Sequence, residues 1–228
     1  MKYIAKEGIK IIIAALLFSI FFLFLYFYAK YIYLKYLFLP LFFLFFLFFI
    51  FSIYFFRDPE RKPDHILGGG EIISPADGRV IFLQKIFDDR FLKSEAVKVS
   101  IFMSLFNVHI NRVPIDGKVE RIIYNKGKFF SANLDKASIE NEFNGIILNI
   151  EGNAGGENKR IAFVQIAGLI ARRIVCKIKE GEKVQSGNRF GLIKFGSRLD
   201  LYLPLSFKQS IKIGDRVFSG KTVIGKIS

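Results

Sequence analysis

The chain has 228 residues, with 34 Lys and Arg against 20 Asp and Glu and a net charge of +14; it has room for one or two domains and calls for an anionic partner. Its single cysteine excludes an internal disulfide and a Cys-based metal cluster. No helix-turn-helix, zinc finger or aromatic-basic RNA motif accompanies the charge, so nucleic acid is excluded as partner and an anionic lipid surface is favoured.

Residues 9–29 read IKIIIAALLFSIFFLFLYFYA, with Lys10 their only charge, and residues 36–56 read YLFLPLFFLFFLFFIFSIYFF, with none. Each has about the 20 residues that cross a hydrocarbon core as a helix. The first 56 residues hold 15 of the 28 Phe, so the aromatic content belongs to these segments and not to a base-stacking surface. Pro40 is tolerable in a membrane helix. A cleaved signal peptide would have a shorter apolar core followed by a small-residue cleavage site. An anchor over residues 1–56 is expected instead, as two spans or a re-entrant hairpin. Lys2, Lys6 and Lys10 flank one end and Arg57, Arg61 and Lys62 the other, against Lys30 and Lys35 in the turn. The positive-inside rule then sets both ends, and the domain that follows, on the cytoplasmic side of a cell membrane.

Residues 57–70, RDPERKPDHILGGG, are charged, contain two prolines and end in three glycines, which is linker composition. His65 within them reads as solvated. From residue 71 onward the pattern is short apolar runs, beginning with EIISPADGRVIFLQKI around a Pro-Ala-Asp-Gly turn. AVKVSIFMSL, GKVERIIY, NGIILNIE and RIAFVQIAGLI follow as strand candidates, and long amphipathic helical periods are scarce. A mainly β domain is expected over residues 71–228. Near its end GEKVQSGNRFGLIKF, from Gly181, and GDRVFSGKTVIGKIS, from Gly214, repeat one pattern. A duplicated Gly-turned hairpin of this kind is similar to the lipoyl-like barrel-sandwich. The Met-Lys-Met tip of a carrier domain is missing. Cys176, beside Ile174 and Val175, reads as a small buried hydrophobe rather than a nucleophile.

Three segments of this domain carry chemistry: SPADGR at 74–79, FNVHINRVP at 106–114 and KFGSRLDLYLP at 194–204. They supply Asp77, His109 and Ser197, a set able to activate a hydroxyl if the fold brings them together. Taken singly, Asp77 before Gly78 is an ordinary turn residue, and His109 between Val108 and Ile110 is an ordinary strand histidine.

FFRDPER, SPADGRV, FMSLFNVHINRVP, QIAGLIARRIV and KFGSRLDLYLP, in that order behind an apolar N-terminal segment, resemble the phosphatidylserine decarboxylases, in their short membrane-anchored proenzyme form. Phe-Gly-Ser-Arg, where long forms often have Leu-Gly-Ser-Thr, agrees with the short branch. The resemblance implies self-cleavage between Gly196 and Ser197, giving a β chain of residues 1–196 and an α chain of 197–228 that stay associated, with αβ units able to pair as a dimer. It implies that Ser197 becomes a covalent pyruvoyl group, which binds phosphatidylserine as a Schiff base and releases CO2 and phosphatidylethanolamine. It makes His109 the base for cleavage and a candidate proton donor in the decarboxylation, with Asp77 its orienting partner. Arg172 and Arg173 are either binders of the substrate carboxylate or phosphate or residues of a solvated strand edge. Arg198 and Asp200 either shape the cleavage turn or form a local salt bridge.

Two rival readings are a pyruvoyl decarboxylase of another amino-group substrate and a membrane-tethered, non-enzymatic adaptor with a lipoyl-like barrel. The first has no use for two apolar segments. The second would remain a single chain and would carry a coiled-coil insertion, of which no heptad run gives a sign.

Overall fold

The computed structural model describes residues 3–63, 65–128, 130, 140–150, 159–168, 173–194 and 196–228. The chain divides into two compact units, Met1–Glu60 and Arg61–Ser228. Arg61, in the segment with linker composition, thus belongs to the β unit.

The first unit is a pair of helices, α1 (Lys6–Tyr28) and α2 (Ile32–Phe55), each long and apolar enough to cross a membrane. At 1.5 Å per residue they span about 35 Å. Gly8, Ala15 and Ser19 are the buried residues of α1, a stripe of small side chains that lets helix backbones approach closely. Phe18 and Phe22 of α1 stack on Phe45 of α2 at centroid distances of 5.2 and 5.4 Å. Pro40 lies inside α2.

The second unit is mainly β among the described residues, as its short apolar runs predict. β1 (Glu71–Ile73), β2 (Gly78–Asp88), β3 (Ser94–Met103) and β4 (Ile110–Arg112) come first. β5 (Gly117–Asn125), β6 (Phe143–Ile150), β7 (Lys159–Ala167) and β8 (Ile174–Cys176) follow. The remainder is β9 (Lys183–Val184), β10 (Arg189–Ile193), β11 (Ser197–Leu203), β12 (Phe207–Gln209), β13 (Arg216–Val217) and β14 (Val223–Ile227). Eight of these form one curled antiparallel sheet in the order β13-β2-β3-β11-β7-β6-β5-β9, and two three-stranded sheets, β4-β10-β8 and β1-β14-β12, complete the half-barrel. One core is shared by all three sheets, with Val99 and Ile101 of β3, Phe163 of β7, Phe190 of β10, Leu199 and Leu201 of β11 and Ile224 of β14 fully buried in it. The opposite face of the large sheet carries a smaller cluster around Phe91, Phe143, Val164 and Tyr202.

The sequence repeat has a structural counterpart, though not as hairpins. The strands of each copy do not pair with each other. The short first strands, β9 and β13, are the two edges of the large sheet, while the second strands, β10 and β14, are the centres of the two small ones. The Ser-Gly turn between them, with Gly187 at φ 81° and Gly220 at φ 73°, is left-handed, and it lets the chain leave one sheet and enter the next. Two-residue strands are too short to hold a hairpin, which is why the copies exchange partners.

Candidate functional site

Ser197 opens β11, a central strand of the large sheet. It stands opposite Met103, the last residue of β3, and Ala167, the last residue of β7. All seven residues of β11 are buried, because the shared core covers Leu199, Leu201 and Leu203 while Arg198, Asp200 and Tyr202 face the other side. Ser197 has no exposed surface, and its Oγ has no hydrogen-bond partner among the described residues. A buried hydroxyl left that way costs about 1–3 kcal/mol, and such groups call for an explanation in function. Directly before it, Gly196 sits at φ 60°, a left-handed angle that residues with a Cβ rarely adopt.

Two connections run side by side at this end of the sheet. One joins β3 to β4, the other β10 to β11. They are tied at both ends, by Met103 opposite Ser197 and by Ile110 opposite Leu192. The β3–β4 connection is a turn stapled by Asn107, whose Oδ1 accepts from both the Ser104 amide and the Ser104 hydroxyl at 2.8 Å. Its Leu105 lies against Gly196, with Cδ2 3.9 Å from where a β-carbon there would stand. His109 closes this connection and is 2% exposed. Its Nδ1 lies 3.0 Å from the Asn107 carbonyl oxygen. A carbonyl can only accept, so Nδ1 carries the proton and Nε2 is the basic nitrogen of the neutral ring. The topology therefore brings His109 and Ser197 onto neighbouring segments.

Asp77 lies at the same end of the sheet, since Arg79 two residues on stands opposite Phe102. Its carboxylate is held by Ser219 and Arg61. Oδ1 accepts from the Ser219 amide at 2.8 Å and from Arg61 Nη1, and Oδ2 accepts from Arg61 Nη2 at 2.9 Å. Arg61 was legible only as one of the flanking cations; its planar fork matches the carboxylate bidentately.

Arg172 lies outside the described residues. Arg173 is exposed, and its carbonyl accepts the Lys194 amide at 3.2 Å, which sets it on the rim of the β10–β11 connection. Arg198 and Asp200 form a buried ion pair with Nε–Oδ1 at 2.6 Å, joined by Lys98 Nζ at 3.2 Å from Asp200 Oδ2 and by a hydrogen bond from Arg198 Nη2 to Ser100 Oγ at 3.0 Å. Burial pushes the Asp200 carboxyl up, and Arg198 and Lys98 beside it outweigh this and hold it below the usual range. Burial also pushes the Cys176 thiol up, which suits a small hydrophobe and not a nucleophile.

Sequence reasoning missed a chain of buried amides next to the site. Asn144 Nδ2 donates to Gln165 Oε1 at 3.2 Å, and Gln165 Nε2 donates to Asn111 Oδ1 at 2.9 Å. The Asn111 amide in turn lies 3.7 Å from the sulfur of Met103. Asn141 Nδ2 donates to the carbonyl of Ala167, the other neighbour of Ser197, at 2.7 Å. Gln165 in the middle of the apolar run RIAFVQIA was the available signal.

The sequence model of the family described as phosphatidylserine decarboxylase matches residues 48–225. A phosphatidylserine decarboxylase proenzyme of Desulfotalea psychrophila is 52% identical over 176 residues, 77% of this chain and 78% of that protein. One of Syntrophus aciditrophicus is 43% identical over 227 residues, 98% of this chain and 97% of its own, so that similarity extends through the apolar N-terminal segment. No solved structure gives a significant match. A Gly-Ser bond at a left-handed angle, a histidine on the adjoining connection and this similarity along nearly the whole length agree: the chain belongs to the phosphatidylserine decarboxylase family.

Proposed function

We propose that this chain converts phosphatidylserine to phosphatidylethanolamine and CO2, and that it first cuts itself between Gly196 and Ser197 to make the electrophile the reaction needs. The observation that carries the reading is the buried Ser197 hydroxyl, without a hydrogen-bond partner among the described residues, directly behind a left-handed glycine. In maturation Ser197 Oγ attacks the Gly196 carbonyl carbon. The peptide C–N bond breaks and an ester forms, while the hydroxyl proton passes by way of His109 Nε2 to the freed amine. Loss of the residue-197 Cα proton and departure of the Gly196 carboxylate then break the Cβ–O bond and leave a Cα–Cβ double bond. The resulting enamine tautomerises to an imine, one water is consumed, one ammonia leaves, and a pyruvoyl group caps residues 197–228.

The surroundings of residue 197 fit such a group, since its backbone is held between β3 and β7 and its Oγ has no competing hydrogen bond among the described residues. Once formed, the ketone supplies an amine-reactive electrophile and a sink for the electron pair left by CO2, which no ordinary side chain offers. The Asn107 carbonyl orients His109, which holds the proton in play at Nε2. Asp77 acts as a positioning residue, through the Arg61 pair that fixes its turn. Arg173 at the rim, with Arg172, offers cations to the substrate's carboxylate and phosphate. The α and β chains stay together because β11 is central to the sheet, and the catalytic unit works on the cytoplasmic side of the membrane.

Intact mass spectrometry of the purified full chain tests this. Two fragments divided at Gly196/Ser197 are expected, the smaller one lighter than a Ser-started peptide by the mass of ammonia, together with CO2 release from phosphatidylserine. Ser197→Ala stays at full length and inactive, and His109→Ala stays mostly uncut. A single full-length species from the unaltered chain, without decarboxylation, would return the adaptor reading.

A further inference from the structure

The end of the large sheet that carries Ser197 also carries an exposed aromatic side chain. Phe106 is 68% exposed, yet it is not on a loose loop: it sits within the turn stapled by Ser104 and Asn107. Leu105 beside it packs toward Gly196, so the exposed tip is the chain neighbour of a residue that lies against the proposed cleavage site on the adjoining connection. Cations belong to the same end: exposed Arg173 is bonded through its backbone to Lys194, at the start of the segment that leads to Gly196. Exposed aromatics beside cations are the composition of a segment that enters the interface of an anionic membrane.

Chain length favours the same edge. Only six positions separate Phe55, the last residue of α2, from Arg61, which is fixed to Asp77 at this end of the sheet. A chain of that length reaches at most about 20 Å, whatever the relative orientation of the two units.

We propose that the catalytic unit meets a phospholipid bilayer by this edge, with the Phe106 turn inserted among the headgroups and Arg173 and Lys194 on the anionic surface. The lipid substrate then enters along Phe106 and Leu105 toward residue 197 without crossing bulk water. The identity of that substrate rests on the decarboxylase reading; the docking edge does not.

The chain contains no tryptophan, so Phe106→Trp places a single reporter at the tip. Phe87 is the matched control. It is 67% exposed and stands opposite Glu95 near the far end of the β2–β3 hairpin, about 26 Å along the strand from the Arg79–Phe102 pair. Each full-length variant is reconstituted into vesicles of phosphatidylcholine and phosphatidylglycerol, with and without brominated acyl chains. Phe106→Trp is expected to emit at shorter wavelength than Phe87→Trp and to lose fluorescence to the brominated lipid, while Phe87→Trp does neither. Quenching at neither position, equally at both, or at Phe87→Trp alone overturns the proposal. Release of CO2 from phosphatidylserine by the unaltered chain is scored separately, so failure of the decarboxylase reading and failure of the docking edge are distinguishable.

Discussion

At Gly196 the requirement is on a backbone angle and not on space. Among the described residues a β-carbon added there meets nothing closer than Leu105 Cδ2 at 3.9 Å, but φ is 60°. Forcing an L-residue into that region costs about 1–2 kcal/mol. Gly196→Ala is therefore expected to fold, with a Tm lower by a few degrees, and to cut itself more slowly, because relaxing the angle changes the course of the backbone into the Gly196–Ser197 bond. A gel time course beside a melting curve checks both, and unchanged cleavage would separate the left-handed angle from the chemistry. Arg61 makes the opposite case, where a side chain decides. Asp77 is 3% exposed, so Arg61→Ala leaves a buried carboxylate with the Ser219 amide as its one remaining hydrogen-bond donor among the described residues, at a cost of about 3 kcal/mol. Arg61→Ala with Asp77→Asn should recover part of that stability in a denaturant titration. No recovery would mean that Arg61 acts through something other than the pair.

β11 is the element on which both states of the proposed reaction depend. Under the proposed cleavage it is first the strand that follows the turn and then the new end of the α chain. Its ladders to β3 and β7 run from Ser197 to Leu203 and Tyr202. The Arg198–Asp200–Lys98 cluster fixes it from the face opposite the core. Because Asp200 is held below its ordinary carboxyl value, its contribution to stability is complete above the unfolded value of about 3.9 and is lost as pH falls through the folded one. Asp200→Asn should thus lose about 3 kcal/mol near neutral pH, where it leaves two cations facing a neutral amide. Its Tm should also fall less between about pH 5 and about pH 3 than that of the unaltered chain; parallel acid limbs in calorimetry would contradict this. The longer strands were legible because β3, β5, β6 and β7 carry apolar runs that match the half-buried pleat. The short strands β4, β8, β9 and β13 were not, since two or three residues define no period. The Asp77–Arg61–Ser219 contact was illegible for a different reason: it joins positions 16 and 142 residues apart, which no local pattern encodes. Ser197 and His109 were legible only as motifs in order; that they share one end of the sheet follows from the Met103 and Leu192 registers.

For the whole molecule the open question is which side of the membrane each end occupies, and chain chemistry makes a definite forecast. Helices of 23 and 24 residues exceed the roughly 20 needed to span the hydrocarbon core, and the connection between them is only residues 29–31. Two full crossings return the chain to its starting side and expose that connection on the other. A re-entrant hairpin would keep it within the membrane. Lys6, Lys10, Arg57, Arg61 and Lys62 outnumber Lys30 and Lys35, so the termini are expected in the cytoplasm and the connection outside. Cys176, the only native thiol, is half-buried and belongs to the cytoplasmic unit on this account. Tyr31, which caps α2 and is 54% exposed, is the position to alter. In intact cells a membrane-impermeant maleimide should label Tyr31→Cys and leave the unaltered chain unlabelled, and permeabilisation should add nothing at position 31. Labelling of Tyr31→Cys only after permeabilisation would reverse the topology. No labelling in either state, with a maleimide-reactive cysteine recovered after denaturation, would bury the connection and make the anchor re-entrant. In that case the two helices would hold the catalytic edge at the surface from one leaflet alone.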